Sequence, residues 1–513
     1  MTNITEGHPD FKTFEKTIFK IMCRIACELI QIYLEWRDLS IMGMRDKKEY
    51  RYVDKRRTTI KTIMGEVTFE RVYYKKKSGG YVFLLDESMG LDNEYGLLSE
   101  NLVEQIVIES TDKSFRKVAD SITSNTMQCI SRMGVWNVVQ RYGEAITLQE
   151  SRLKELDEGG STGHLGNVVS RVIFNEFDDV WVNFQKKYRS KRSGGDTADP
   201  DNSGKWSEKK LKKRTGKRPI HVGTAYTGWI QEKDGRYSTV DKVAYASTGS
   251  VSVFTSMFEI LLRHCFDMDG IECMVTNGDG EQWIRTEAEA NDSILQLNPY
   301  HRSKAIIKAV GNKSDRQRLF DAIGEKDVDK VLDTICDLIL KAQDESAFKK
   351  LVELYSYFSN NRDILLSWQE RGIELPTPPE GVTYRNMGVQ ESSNCTLITQ
   401  RMKHRRGSWS EKGGDHMAKI LCYRNTIGLD TIMGALPEPP VPVAWVEPLS
   451  AAKAPQHDGK GYGADWLFAN MPFEQAFKTN GREVIRDMFR LRPLSELPFV
   501  LSPGINKSSF TGN

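Results

Sequence analysis

Apolar residues recur at three- and four-residue intervals between residues 11 and 45, and this spacing predicts one long amphipathic helix. Cys23 and Cys27, four apart among Ile18, Met22, Ile25, Leu29 and Ile30, read as its buried stripe. Residues 51 to 86, "RYVDKRRTTIKTIMGEVTFERVYYKKKSGGYVFLLD", change to the period of successive strands, joined by "GE" and "KSGG" turns and basic on one side. Helical spacing returns over 96 to 157. Within it "SFRKVADSITSNTMQCISRMGVWNVVQRYGE" has the layout of a helix-turn-helix or of an ordinary helical hairpin. Val118, Ala119 and Ile122 would pack the first helix and Ile130, Met133, Val135 and Val138 the second. Ser131, Arg132, Asn137, Gln140 and Arg141 would be left for a DNA groove.

From residue 168 strands dominate. "VVSRVIFNEFDDVWVNFQ" predicts a long strand, "RPIHVGTAYTGWIQE" a second, and "YSTVDKVAYAS" a third, the last two joined by an "EKDGR" hairpin turn. A helix follows, capped by Ser250, then a strand ending at "NGDG", a helix and the strand "SILQLN". Three antiparallel strands followed by alternating helices and strands predict a mixed α/β sheet. Residues 302 to 372 read as almost wholly helical, with breaks at "GNKS" and "GEKD". Beyond "ELPTPPEG", Ser408 and Glu411 form a capping box for a helix burying Met417, Ile420 and Leu421. The Pro-rich end from about residue 436 predicts loose packing.

Composition changes this picture little: 513 residues, 39% hydrophobic and 28% charged, suit a multidomain globular chain. With neither a secretory leader nor a bilayer-length apolar run, a cytoplasmic, nucleoid-associated location is expected. The eight cysteines lack zinc-ligand spacing and read as reduced core residues. Charge matters more by position than by its sum of +2. Two basic runs flank a Gly-, Ser- and Asp-rich linker: "KKYRSKR", with Lys186, Lys187 and Arg189, and "KKLKKRTGKR", with Lys209, Lys210, Lys212, Lys213 and Arg214. Such an excursion suits a phosphate backbone, since each neutralised phosphate releases counterions; a merely solvated loop is the alternative.

The candidate chemistry is acidic. Glu176, Asp178 and Asp179 interrupt an otherwise apolar strand, where charge is costly unless compensated. Alternation puts Glu176 and Asp178 on one face and Asp179 on the other, although a bulge would exchange them. Asp279 lies at a strand's carboxyl end, where ligands collect in open α/β sheets, and Glu391 at the start of a later helix. Each has a plainer reading: a cross-strand ion pair for Asp178, capping for Asp279, a first-turn acid for Glu391. Together Asp178, Asp279 and Glu391 could hold two Mg²⁺ ions, with Mn²⁺ an alternative, for in-line phosphoryl displacement.

The segments "RTTIKTIMGEVTFERVYY", "EFDDVWV", "TNGDGEQWI", "NPYH" and "MGVQESSN...RMKHRRGSWSEKGGDHMAKIL" resemble the ISLre-type bacterial insertion-sequence transposases, similar to the Mutator-like DDE group. The resemblance spans nearly the whole chain to about residue 425. It implies a multidomain α+β protein with a ribonuclease H-like mixed α/β catalytic domain, carrying an all-helical insertion and preceded by an N-terminal helical and β DNA-binding region. The expected segments are 1–95 (helix and basic strands), 96–160 (helix-turn-helix-like), 161–301 (first part of the core), 302–380 (insertion), 381–430 (last part of the core) and 431–513 (tail). It implies Asp178, Asp279 and Glu391 as catalytic triad and metal ligands, with His301 as the histidine following the second Asp. A structural histidine is the alternative. The chain departs from the pattern in having Asp179 where Gly usually follows the first Asp, and Asn298 where relatives have Asp. The function implied is Mg²⁺-dependent cleavage at transposon ends and strand transfer, on double-stranded terminal-repeat and target DNA, by a homodimer or larger assembly. The alternatives are a nuclease on the same scaffold that cuts without joining, and a non-catalytic DNA-binding derivative.

Overall fold

The structure, a computed structural model, describes residues 10–91, 98–159, 166–185, 216–404 and 407–425. The chain divides into two compact units, Met1–Arg141 with Glu438–Asn513, and Tyr142–Pro437.

In the first unit, helix α1 (Phe11–Met44) starts at Asp10, whose carboxylate accepts the Thr13 N–H at 3.0 Å. It lies on an antiparallel sheet of β1 (Tyr50–Thr62), β2 (Gly65–Lys76) and β3 (Tyr81–Val82). Cys27, Ile30, Leu34 and Ile41 meet Ile60, Val67 and Phe69, and buried Asp38 accepts the Val72 N–H at 3.0 Å. The buried stripe therefore differs from the expected one: Met22 and Leu29 are 56% and 41% exposed. This helix is apolar on two faces, and periodicity alone does not say which of them the sheet takes.

The strand expected to run to residue 86 gives way to helix α2 (Leu84–Met89). Helices α3 (Glu100–Asp112) and α4 (Phe115–Asn125) begin at Ser99 and Ser114, and α5 (Arg132–Glu158) follows. Val118, Ala119, Ile122, Ile130, Val135 and Val138 are buried as the pattern predicts. Met133 is instead 57% exposed, and Gln140, expected at a groove, is buried. Arg132 and Arg141 are exposed and Asn137 half-buried.

The second unit is built on β4 (Val172–Asn183), β5 (Lys217–Tyr226), the hairpin β6 (Gly228–Gln231) and β7 (Tyr237–Val240), β8 (Val243–Ser247), β9 (Cys273–Gly278) and β10 (Ile294–Leu297). The second and third expected strands are thus each split in two, and β6 and β7 pair as a separate ribbon. The main sheet has the order β10-β9-β4-β5-β8. β4, β5 and β8 are antiparallel, while β9 runs parallel to β4 and β10 parallel to β9.

Strand alternation sorts the core into two layers. Phe174 packs with Tyr226, Trp229, Trp368 and Met387 on one face. On the other, Phe177 meets Phe254 and Phe258 of helix α6 (Val251–Cys265) and Trp283 of α7 (Gln282–Ala290). Helices α8 (Pro299–Ala309), α9 (Lys313–Gly324), α10 (Val328–Leu340) and α11 (Glu345–Asn360) follow, packed around Leu319, Ile335, Leu354 and Phe358. Helix ends at Asn360 rather than continuing to 372, and residues 361–388 form turns and extended segments. The short helix α12 (Val389–Ser393) runs into a π-helical stretch (Asn394–Thr399) and α13 (Gln400–Met402). Helix α14 (Glu411–Asn425) buries Met417, Ile420 and Leu421 as expected. Its cap is Ser410, not Ser408: the Ser410 hydroxyl accepts the Gly413 N–H at 3.1 Å.

All eight cysteines are free, but only Cys23 and Cys422 are buried and the other six are half-buried, so the expected core placement holds for two. Among the described residues no helix is long and apolar enough to cross a membrane.

Within the second unit a buried cluster joins α14 to α5. Lys419 lies 2.6 Å from Glu150 and 3.2 Å from Asp415, and Tyr423 donates to Glu150 at 2.7 Å. Removing the cation would leave buried Glu150 without its counter-ion, while half-buried Asp415 keeps its hydrogen bonds from Ser247 and Thr248. Lys419→Ala is expected to cost about 3–5 kcal/mol, read as a lower urea midpoint with an unchanged slope.

Candidate metal centre

Strand β9 pairs in parallel with β4 through Glu176 and Asn277. Two steps on, β9 has ended at Gly278 and Asp279 stands in the turn, level with Asp178 on β4. Gly280 makes this turn possible. Its φ is +92°, and a Cβ there would lie 2.4 Å from the Asn361 side chain. Tyr357 of α11 donates to the Asp279 carbonyl at 2.7 Å, so the helices after β10 brace the turn directly. The plain reading of Asp279 also holds in part, because its Oδ1 accepts the Glu281 N–H at 3.0 Å.

His301 enters on the first turn of α8, where Asn298 is the cap: its side chain accepts the Tyr300 N–H at 2.9 Å. An amide caps a helix there as well as a carboxylate would. Glu391 sits on α12, which begins two residues earlier, at Val389. One ligand atom each from Asp178, His301 and Glu391 lies within 4.8 Å of the others. His301 Nε2 is 3.0 Å from Glu391 Oε1 and 3.9 Å from Asp178 Oδ2. Asp279 is outside this tight group yet close enough for its charge to raise the Asp178 pKa. It lines a cavity of about 500 Å³ with Glu281, Arg285, Tyr357 and Asn361.

Alternation assigns the neighbouring aspartates to different surroundings. Asp178 Oδ2 accepts from Asn394 at 2.6 Å and its Oδ1 from the Asp179 N–H at 2.8 Å. Asp179 turns to the other face and meets His221 Nδ1 at 2.7 Å. Burial pushes the Asp178 pKa from 3.8 to about 6, opposed by His301 and the Asp179 N–H and reinforced by the charges of Asp279 and Glu391. Burial likewise raises Asp279, opposed by the Glu281 N–H and by His301.

Three residues escaped the sequence reading. Glu176, placed by alternation on the face of Asp178 but given no role, is wholly buried and accepts five hydrogen bonds. Asn394 holds Asp178, and Asn277 holds Glu176. The alternation that places Glu176 on the face of Asp178 was the available signal; the asparagines offered none. The basic residues Lys186, Lys187, Arg189, Lys209, Lys210, Lys212, Lys213 and Arg214 lie outside the described residues.

Two carboxylates and an imidazole within one ligand shell, with a further carboxylate beside them, could hold a divalent cation. The fold and site thus define a mixed α+β protein with an acid and histidine cluster at the carboxyl end of a mixed sheet. The chain belongs to the uncharacterised protein family UPF0236, whose model matches residues 4–193 and 200–432. A UPF0236 protein of Caldanaerobacter subterraneus subsp. tengcongensis, whose name joins eleven locus designations, is 24% identical over 417 residues, covering 79% of this chain and 76% of that one. A second from the same organism, UPF0236 protein TTE2489, has the same identity and coverage. Among solved structures, a pre-cleavage Mos1 transpososome is 10% identical and covers 52% of this chain and 80% of that chain, with a TM-score of 0.11. The Mos1 strand transfer complex is 12% identical and covers 52% and 78%, with a TM-score of 0.12. Scores this low carry no structural argument.

The raised Asp178 pKa has a consequence for stability. A carboxyl raised in the folded state favours folding when neutral; that contribution is complete below about pH 4 and is lost as pH rises through about 6. Asp178→Asn removes the buried charge. In chelator, the variant is expected to be more stable than the wild type by about 1–2 kcal/mol at pH 8, the advantage vanishing near pH 4 in parallel denaturant titrations.

Proposed function

We propose that this chain is a DDE transposase of the ISLre type that cuts DNA at the ends of an insertion sequence and joins them to target DNA. The observation that carries the reading is the convergence of Asp178, His301 and Glu391, from three separate elements, beside Asp279. The strand order β10-β9-β4-β5-β8, three antiparallel strands followed by two parallel ones, supports a ribonuclease H-like core, and α8 to α11 take the place of the insertion before the final Glu. The eleven designations joined in one relative's name agree with a sequence carried in many copies, as a mobile element is.

Asp178, Asp279 and Glu391 would hold two Mg²⁺ ions, or Mn²⁺ in their place. Bound there, the ions supply the Lewis acidity that in-line phosphoryl transfer needs. Asn394 orients Asp178, His301 orients Glu391 through Nε2, and Tyr357 steadies the Asp279 turn. The protein's own work is positioning and electrostatic complementarity, as this reaction class requires. Exposed Arg132 and Arg141, half-buried Asn137, the basic strand β1 and the basic runs after residue 185 are assigned to double-stranded DNA. Segments 1–95 and 96–160 serve recognition, 161–301 and 381–430 the core, 302–380 the insertion and 431–513 a tail. Handling two DNA ends together calls for two or more copies of the chain.

The test uses pre-cut ends, target plasmid and Mg²⁺. Joined product is expected. Asp178→Asn, Asp279→Asn and Glu391→Gln should each lower cleavage and joining on the order of a thousandfold, the scale of losing a group that acts only in the transition state. Cleavage without joining would assign the chain to nucleases on this scaffold. DNA binding with neither cleavage nor joining by the wild-type chain would leave a DNA-binding protein, and full activity in all three variants would place the chemistry away from these carboxylates.

A further inference from the structure

We propose that Glu176 is the positioning residue of the acid centre, one buried carboxylate that ties together the three segments carrying Asp178, Asp279 and Glu391. Its Oε1 accepts from the Tyr226 hydroxyl at 2.6 Å, the Val389 N–H at 2.9 Å and the Gly388 N–H at 3.2 Å. Its Oε2 accepts from the Asn277 side chain at 2.7 Å and the Gln390 N–H at 3.3 Å. The donors are not scattered. Glu176 stands two residues before Asp178, Asn277 two before Asp279, and Gln390 next to Glu391.

A carboxylate offers about four lone-pair positions. Five donors use them all, so Glu176 holds nothing in reserve for a cation and acts through its neighbours. Gly388 takes φ +148°, which lets the chain present three successive N–H groups to one carboxylate before α12 begins. Replacing the carboxylate loosens all three attachments at once. Outer residues that orient ligands in this way are worth about ten- to a hundredfold in metal affinity.

The metal part of this proposal rests on the reading of the acid centre above, and the experiment separates the two. Mn²⁺ is titrated calorimetrically into the full chain and into Glu176→Gln, alongside cleavage kinetics on DNA. The expected result is a folded variant with at least about tenfold weaker Mn²⁺ binding and a lower kcat at unchanged KM for DNA. Unchanged Mn²⁺ affinity with only a lower melting temperature would overturn the proposal. Should Glu176→Gln fail to fold, Asn277→Ala cuts the link to the Asp279 strand while keeping the charge: weaker binding supports the proposal and equal binding overturns it. A wild-type chain that binds Mn²⁺ but leaves DNA intact sinks the transposase reading alone, and one that binds no Mn²⁺ sinks both.

Helix α1 carries a second inference, independent of the reaction. Ile18, Met22, Ile25, Leu29, Ile32 and Trp36, continuing to Leu39, alternate spacings of four and three on the face turned away from the sheet. Trp36 and Leu39 are 45% and 50% exposed. We infer that a second copy of this chain packs α1 against α1. The average spacing of 3.5 is that of a coiled-coil seam, and one such stripe complements its own copy about a two-fold axis. With Phe11, Phe14 and Phe19 it offers on the order of 800 Å² per chain, the size of a standard stable interface. The stripe from Ile18 to Leu39 holds no charged side chain, which disfavours a phosphate backbone as its occupant. Light scattering after size exclusion should give twice the chain mass for the wild type and a single mass for Leu29→Glu with Trp36→Glu, with equal helix content by circular dichroism. A monomeric wild type, including one whose own residues beyond 425 cover the stripe, or a dimeric double variant, would overturn it.

Discussion

A strand running through the middle of a sheet and carrying three acids must compensate each charge where it stands, because burial in a dry core costs several kcal/mol per unpaired ion. Strand β4 meets this constraint in three ways. Glu176 is enclosed by hydrogen-bond donors, Asp179 is matched with His221, and Asp178 is left partly uncompensated, with a raised pKa. The remaining architecture follows from that arrangement. The chain from 388 to 390 returns to Glu176, β9 is anchored to it through Asn277, and Glu391 and Asp279 arrive beside Asp178 as a result.

Stability and the proposed chemistry pull in opposite directions at Asp178. A neutral side chain would suit the metal-free fold better, while a divalent cation would reward the charge the fold disfavours. A site left under-compensated in this way is poised for a ligand, whereas the fully satisfied Glu176 is poised to stay where it is. Two carboxylates two residues apart on one face thus serve different ends.

The helices between β10 and α12 do more than fill space between parts of a core. Tyr357 and Asn361 contact the Asp279 turn, and Arg302 pairs with Glu370 and donates to the Leu365 carbonyl. In the proposed enzyme, motion of these helices would be felt first at Asp279 rather than at Asp178, which is held from its own strand and by Asn394.

Much of the fold was legible from local pattern, because period two and period 3.6 are set by backbone geometry that each short segment obeys alone. The long first helix, the alternation along β4, Ser250 as a cap and the turn at Asp279 all follow from neighbours in sequence. Where local pattern permits two answers, tertiary packing chose. Met22 and Leu29 face outward because the sheet took the other apolar face of α1, and Gln140 is buried although its spacing suited a groove. The division of labour between Glu176 and Asp178 was decided in the same way. Their side chains point alike and differ only in what the distant residues 277, 388–390 and 394 bring to them, and contacts across more than a hundred residues leave no trace in the period of a single strand.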